Sequence, residues 1–141
     1  MAKPLVTFAD PESLVTWLAA QFVPRVETYK PATISVKFPA AALLGTTHLQ
    51  VELESESVAD YPVLTRAQVR VTAYAAPGKR SDVKRLASLA QGILLAHPGS
   101  ADIAGIFPLI GRSDVIEDPT TKNLMCWFLV RVDIKATQLA S

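Results

Sequence analysis

The chain has 141 residues, half of them hydrophobic and 19% charged, with a formal net charge of +1. That length suits one ordinary domain, the composition suits a packed globule rather than a disordered chain, and the charge balance excludes an overall field drawing the protein to nucleic acid or an anionic membrane. Cys126 is the only cysteine, which rules out an internal disulfide and a cysteine-based structural zinc site. Residues 1–8 lack the apolar core of a signal peptide, and no apolar run approaches membrane-spanning length, so the expectation is a chain that folds in a reducing cytoplasm.

Asp10-Pro11-Glu12 supplies an N-cap, a proline at the first helical position and a first-turn acid. Leu14, Val15, Leu18, Ala19 and Phe22 follow at helical spacing and Pro24 stops the run, predicting a helix of about three turns. Residues 32–38 alternate, with Ile34, Val36 and Phe38 on one face. Residues 48–55 also alternate, setting Leu49, Val51 and Leu53 opposite His48, Gln50, Glu52 and Glu54. The connection between them, residues 39–47, is too long and too apolar for a tight hairpin turn. Acidic, serine-rich residues 54–60 read as the next loop, closed by Tyr61-Pro62. Residues 64–75 form the clearest strand, with Ala67, Val69, Val71, Ala73 and Ala75 facing one way and Arg66, Gln68, Arg70, Thr72 and Tyr74 the other.

Pro77-Gly78 then turns the chain, and Ser81 is the expected cap of a second helix. Its Val83, Leu86, Ala87, Ala90, Ile93 and Leu94 form one stripe, with Lys84, Arg85, Ser88 and Gln91 away from it. His97-Pro98-Gly99 ends it. Pro108 and Gly111 interrupt residues 103–116, predicting a bent or edge strand, and residues 117–123 carry turn chemistry. The last strand, residues 124–136, sets Leu124, Cys126, Phe128, Val130, Val132 and Ile134 on one face. The order α-β-β-β-α-β-β predicts an α+β fold: a mostly antiparallel sheet of about five strands with two packed helices. It fills residues 1–141 as one domain with short flexible ends.

No catalytic constellation emerges. His48 falls on the polar face of a strand, and His97 sits at a helix C-terminus, where the dipole favours it without a further role. Two histidines without an acidic cluster make a poor transition-metal site, and no cofactor motif is present. Glu52, Glu54 and Glu56 share one strand face by period two; a solvated acidic strand end explains them better than an acid–base pair, which needs one member in an apolar pocket. Cys126 falls on an apolar strand face and reads as inert. Gly105 and Gly111 lack the spacing of a phosphate loop. Lys79, Arg80, Lys84 and Arg85 form the one basic cluster, a solvated helix start or a contact for an acidic surface or nucleic acid.

Two features resist a purely structural reading. The connection at 39–47, with Leu43 and Leu44, should not be so apolar if it simply faced water. Met125, Trp127 and Leu129 make the final strand apolar on its second face too, so that face needs a helix or a neighbouring molecule to cover it. These residues are the candidate assembly interface.

Taken in order, these segments resemble a known family. The opening helix leads to Arg25-Val26-Glu27-Thr28-Tyr29-Lys30-Pro31. The strand from Pro62 to Ala75 runs into a helix containing Leu86-Ala87, and Asp118-Pro119-Thr120-Thr121-Lys122-Asn123 precedes the long strand through Phe128 and Ile134. This layout resembles the tail terminator, or tail completion, proteins of long-tailed bacteriophages, especially those of actinobacteria, over about residues 10–136. Where the family often carries a glycine after Asp118-Pro119, this chain has Lys122-Asn123, and asparagine tolerates the same positive φ.

The resemblance implies a non-enzymatic virion protein without cofactors, made in the host cytoplasm and located at the tail neck. It implies a homohexameric ring on the head-proximal end of the tail tube, contacting the tube protein and the head–tail connector, with DNA passing through its lumen without specific binding. Another head–tail connector or minor tail protein is the nearer alternative. A small ligand-binding α+β domain is the alternative of a different class.

Overall fold

A computed structural model describes residues 5–29, 32–60 and 63–139. The elements are β1 (Val6–Phe8), α1 (Pro11–Phe22), β2 (Thr33–Ser35), β3 (His48–Asp60), β4 (Leu64–Ala75), α2 (Arg80–Leu95), β5 (Ile103–Ile110), β6 (Ile116–Glu117) and β7 (Leu124–Gln138). The centre of the sheet is β7 against β4, antiparallel from Leu64 opposite Lys135 to Ala75 opposite Leu124. β3 pairs antiparallel with β4, and β2 pairs parallel with β3. Along its other edge β7 takes β6 and then β5, and its last residues pair with β1. The sheet is therefore mixed and has seven strands rather than about five. The extra ones, β1 and β6, are too short to show an apolar period of their own.

Both helices lie on one side of this sheet. α1 packs against β3 and β2, α2 against β4, β7 and β5, and the helices touch each other. Val15, Leu18 and Ala19 of α1 and Val83, Leu86, Ala87, Ala90 and Leu94 of α2 are buried against Leu49, Val51, Val69, Val71, Phe128, Val130 and Val132. These are the faces that period 2 in the strands and period 3.6 in the helices set apart.

Local chemistry fixes the element ends. Asp10 caps α1, its carboxylate accepting from the Glu12 amide at 3.1 Å and the Ser13 hydroxyl at 2.8 Å. α2 starts earlier than its expected cap. Gly78, at φ 78°, and the Lys79 N–H donated to the Ala76 carbonyl close a turn that delivers the chain into the helix at Arg80. Ser81 thus sits inside the first turn and caps nothing.

The acidic stretch 54–60 is not a loop, because β3 continues to Asp60 against β4. Tyr61-Pro62 lie outside the described residues. A bulge at Glu54 sets Leu53 opposite Val69 but Ser55 opposite Gln68, reversing the alternation beyond it. Glu52 therefore stands on the side away from the helices, opposite Arg70, whereas Glu56 stands opposite Ala67 on the helix side. The three carboxylates do not share a face. No helix among the described residues is long and apolar enough to cross a membrane.

Phe128 is the largest fully buried side chain, on the helix side of the sheet centre, where α2 packs on β7. Phe128→Ala is expected to cost about 3–5 kcal/mol, read as a lower urea midpoint with an unchanged slope.

Candidate assembly surface on the open sheet face

With both helices on the Phe128 side, the other side of β7 has no helix over it among the described residues. Met125 and Trp127 are half-buried there and Leu129 is buried between Arg70 and Ile110, its neighbours in β4 and β5. Ile116 pairs with Met125, and Phe107 pairs with Arg131; Phe107, Ile110 and Ile116 are all exposed. The result is an apolar strip running obliquely across β6, β7 and β5.

Two arginines lie over its aromatic rings. The Arg70 guanidinium sits 4.7 Å from the Trp127 ring centroid, and that of Arg131 sits 4.4 Å from Phe107. Arg70 also pairs with Glu54 at 2.8 Å. Asp133, only 6% exposed, lies between Arg131 at 3.2 Å and Arg66 at 3.6 Å, close enough for ion pairing but out of hydrogen-bond alignment. Gly105 makes room for this arrangement: a Cβ there would meet the Phe107 ring at 2.8 Å. The backbone of Trp127 is tied separately, accepting from the Ser113 amide at 2.7 Å and donating to the Ser113 hydroxyl at 3.0 Å.

The apolar connection between β2 and β3 folds back over the other end of the same face. Asn123, fully buried, accepts from the Leu43 amide at 2.8 Å and donates to the Ala41 carbonyl at 3.0 Å. His48 is buried beneath the segment's start. Its Nε2 donates to the Lys37 carbonyl and its Nδ1 bonds the Thr33 hydroxyl, both at 2.7 Å, so both ring nitrogens are engaged. The Gln50 amide donates to the Val36 carbonyl, and the Tyr74 hydroxyl donates to the Gln50 side-chain oxygen at 2.9 Å. The polar faces of β3 and β4 thus hold a loop rather than meet water. Leu43 is half-buried, while Leu44 is 95% exposed and Phe38 63%.

The turn before β7 is built as its residues imply, with a change of position. The Asp118 carboxylate accepts from the amides of Thr120 and Thr121, which hold its pKa below the usual range. The positive φ, 64°, falls on Lys122 and not on Asn123, whose side chain is committed to the loop.

The other residues of interest lie apart from the strip. His97 borders a groove of about 300 Å³ between α1 and the segment that joins α2 to β5, with Leu14, exposed Trp17 and Ile103. Cys126 is buried and its thiol donates to the Ser113 carbonyl. Lys79, Arg80, Lys84 and Arg85 are all exposed, and Lys84 shares a recess of about 270 Å³ with Arg112. Among the described residues no group of three or more His, Cys, Asp or Glu is placed to hold a metal.

No family model and no curated protein matches the sequence. Among solved structures, the fold is similar to a chain in the virion of a native gene transfer agent particle, at 15% identity and a TM-score of 0.52 over 84% of each chain. At that identity the likeness is one of fold.

Asn123→Ala leaves the Leu43 N–H and Ala41 carbonyl without their partner, which is expected to cost about 1–3 kcal/mol and to speed amide exchange at Leu43 while the sheet amides stay protected. Tyr74 gives a second check at high pH. Burial first, and then the charges of Glu52 and Asp118, push its pKa up to about 12. A folded-state pKa raised above the unfolded value near 10 contributes stability that is complete below pH 10 and is lost as pH rises through about 12. Ultraviolet titration should show a late tyrosinate signal that Tyr74→Phe removes.

Proposed function

We propose that this chain is a virion structural protein that acts by assembly and without catalysis, as a tail terminator. Copies form a ring, six to a turn by the resemblance, on the head-proximal end of the tail tube. The ring ends tube polymerisation and presents the other side to the head–tail connector. The observation that carries this reading is the uncovered apolar strip around Trp127. The chain places both helices on the opposite side, so the face with two stacked arginine–aromatic pairs is available to a neighbour. A fold shared with a virion component supports the reading, as does the order of segments. The same fold likeness favours a second reading, another head–tail connector or minor tail protein, and location in the particle separates the two.

Capping has a simple physical requirement. A cap binds the tube end with one surface and offers no copy of that surface to the next tube ring. Tail preparations carrying this protein should therefore show ring density at the head-proximal end of the tube. Ring density elsewhere in the particle would favour the connector or minor tail reading, and none at all would remove both.

Trp127→Glu probes the strip directly. No helix covers Trp127, so the variant is expected to stay soluble and melt cooperatively but not to join the particle. Loss of an aromatic anchor from a desolvated contact weakens binding by about 2 kcal/mol or more. Phe128→Glu, the control on the helix side, should not fold. A Trp127→Glu chain that assembles normally would rule out the strip as the contact.

A further inference from the structure

Lys84, on the exposed side of α2, and Arg112, between β5 and β6, converge on one recess that Ser113 and Cys126 also line. Neither cation has an ion-pair partner among the described residues, and Lys79 and Arg80 stand exposed at the start of the same helix. Two unpaired like charges facing one recess repel until an anion enters.

The chain carries the complement on its opposite flank. Beyond its pairing with β2, the outer edge of β3 has no strand beside it among the described residues, and Glu56 is exposed there, while Glu54 next to it is held by Arg70. The Leu53 amide on that edge is closed by the Glu12 carboxylate at 2.7 Å, adding a further acid. β4 and β7 separate the two flanks.

We propose that the recess at Lys84 and Arg112 receives the acidic β3 edge, at Glu56, of a second copy of this chain. Opposite charges on opposite flanks are what a head-to-tail contact between identical copies needs, since each copy then offers one patch of each kind. Nucleic acid fits less well: duplex binding draws on a basic stripe, and here the opposite flank of a nearly neutral chain is acidic. The proposal rests on the ring reading and names its subunit contact.

Sedimentation velocity at low and high salt tests it on the intact chain, with Glu56→Lys, Lys84→Glu and the double exchange. Both positions are exposed, and thermal melts establish that each variant folds. The wild type should self-associate at low salt and weaken as salt rises. Each single reversal should raise the dissociation constant by about ten-fold or more, and the double exchange should return it to within about three-fold of wild type. A wild type that stays monomeric throughout, singles without effect, or a double no better than the singles would each overturn the contact. So would duplex DNA binding lost in Lys84→Glu while self-association is unchanged. Ring density that survives on tails carrying the single variants would leave the capping reading standing with this contact removed.

Discussion

β7 is apolar on both faces through its first half, and the fold can cover only one of them with helices. Phe128 and Val130 face the side where α2 packs on β7, and α1, meeting α2, closes the same core over β3 and β2. Burying a large apolar side chain contributes about 1.5–3 kcal/mol, so covering the Phe128 side accounts for much of what holds the domain together. Met125 and Trp127 are left with partial cover from their own sheet, in which Leu129 is buried. Arg70 lies over the Trp127 ring and Arg131 over that of Phe107, while their charges are held by Glu54 and Asp133. Such a cover keeps an apolar strip soluble and still leaves it open to a partner.

The other end of the same face is treated differently, for a reason that lies in the backbone. An irregular segment laid on a sheet brings peptide groups that need partners once water is excluded. An apolar surface beneath it would leave them unpaired. Here the surface is polar: His48, Gln50 and Asn123 each bond a carbonyl of the 36–41 stretch, and Asn123 also accepts the Leu43 amide. The loop is held through its backbone, so its side chains are not needed to anchor it. Phe38 and Leu44 point outward as a result.

This division explains what was legible in the sequence. The capped start of α1, the whole span of β4 and the face of β7 that meets the helices follow from local spacing, and the structure has them where spacing sets them. The apolar second face of β7 was legible as well, since Met125, Trp127 and Leu129 break the alternation that Arg131 and Asp133 restore. The loop anchors were not. Period two marks His48, Gln50 and Tyr74 as facing away from the core, and nothing local says that a distant segment returns to cover them. Asn123 read as a turn residue because its neighbours are turn residues. Nor does period two announce a bulge, so Glu54 and Glu56 seemed to share a face that the extra residue splits. β1 had no signal at three residues; it exists because the end of β7 has an open edge to pair with.

The bulge also bears on how an assembling sheet protein avoids uncontrolled growth. An unpaired strand edge is a template for any other edge, and among the described residues β3 has one beyond its short contact with β2. Three devices blunt it together. Glu12 occupies the outward Leu53 amide, the Glu54 bulge breaks the register a new strand would have to match, and Glu56 places a charge on the helix side. Random edge-to-edge pairing is thereby opposed, while a surface of opposite charge and fitting shape still has something to recognise. For the proposed capping role that selectivity matters more than tight binding, since a cap has to join its own ring and the tube end and give a further tube ring no edge to extend.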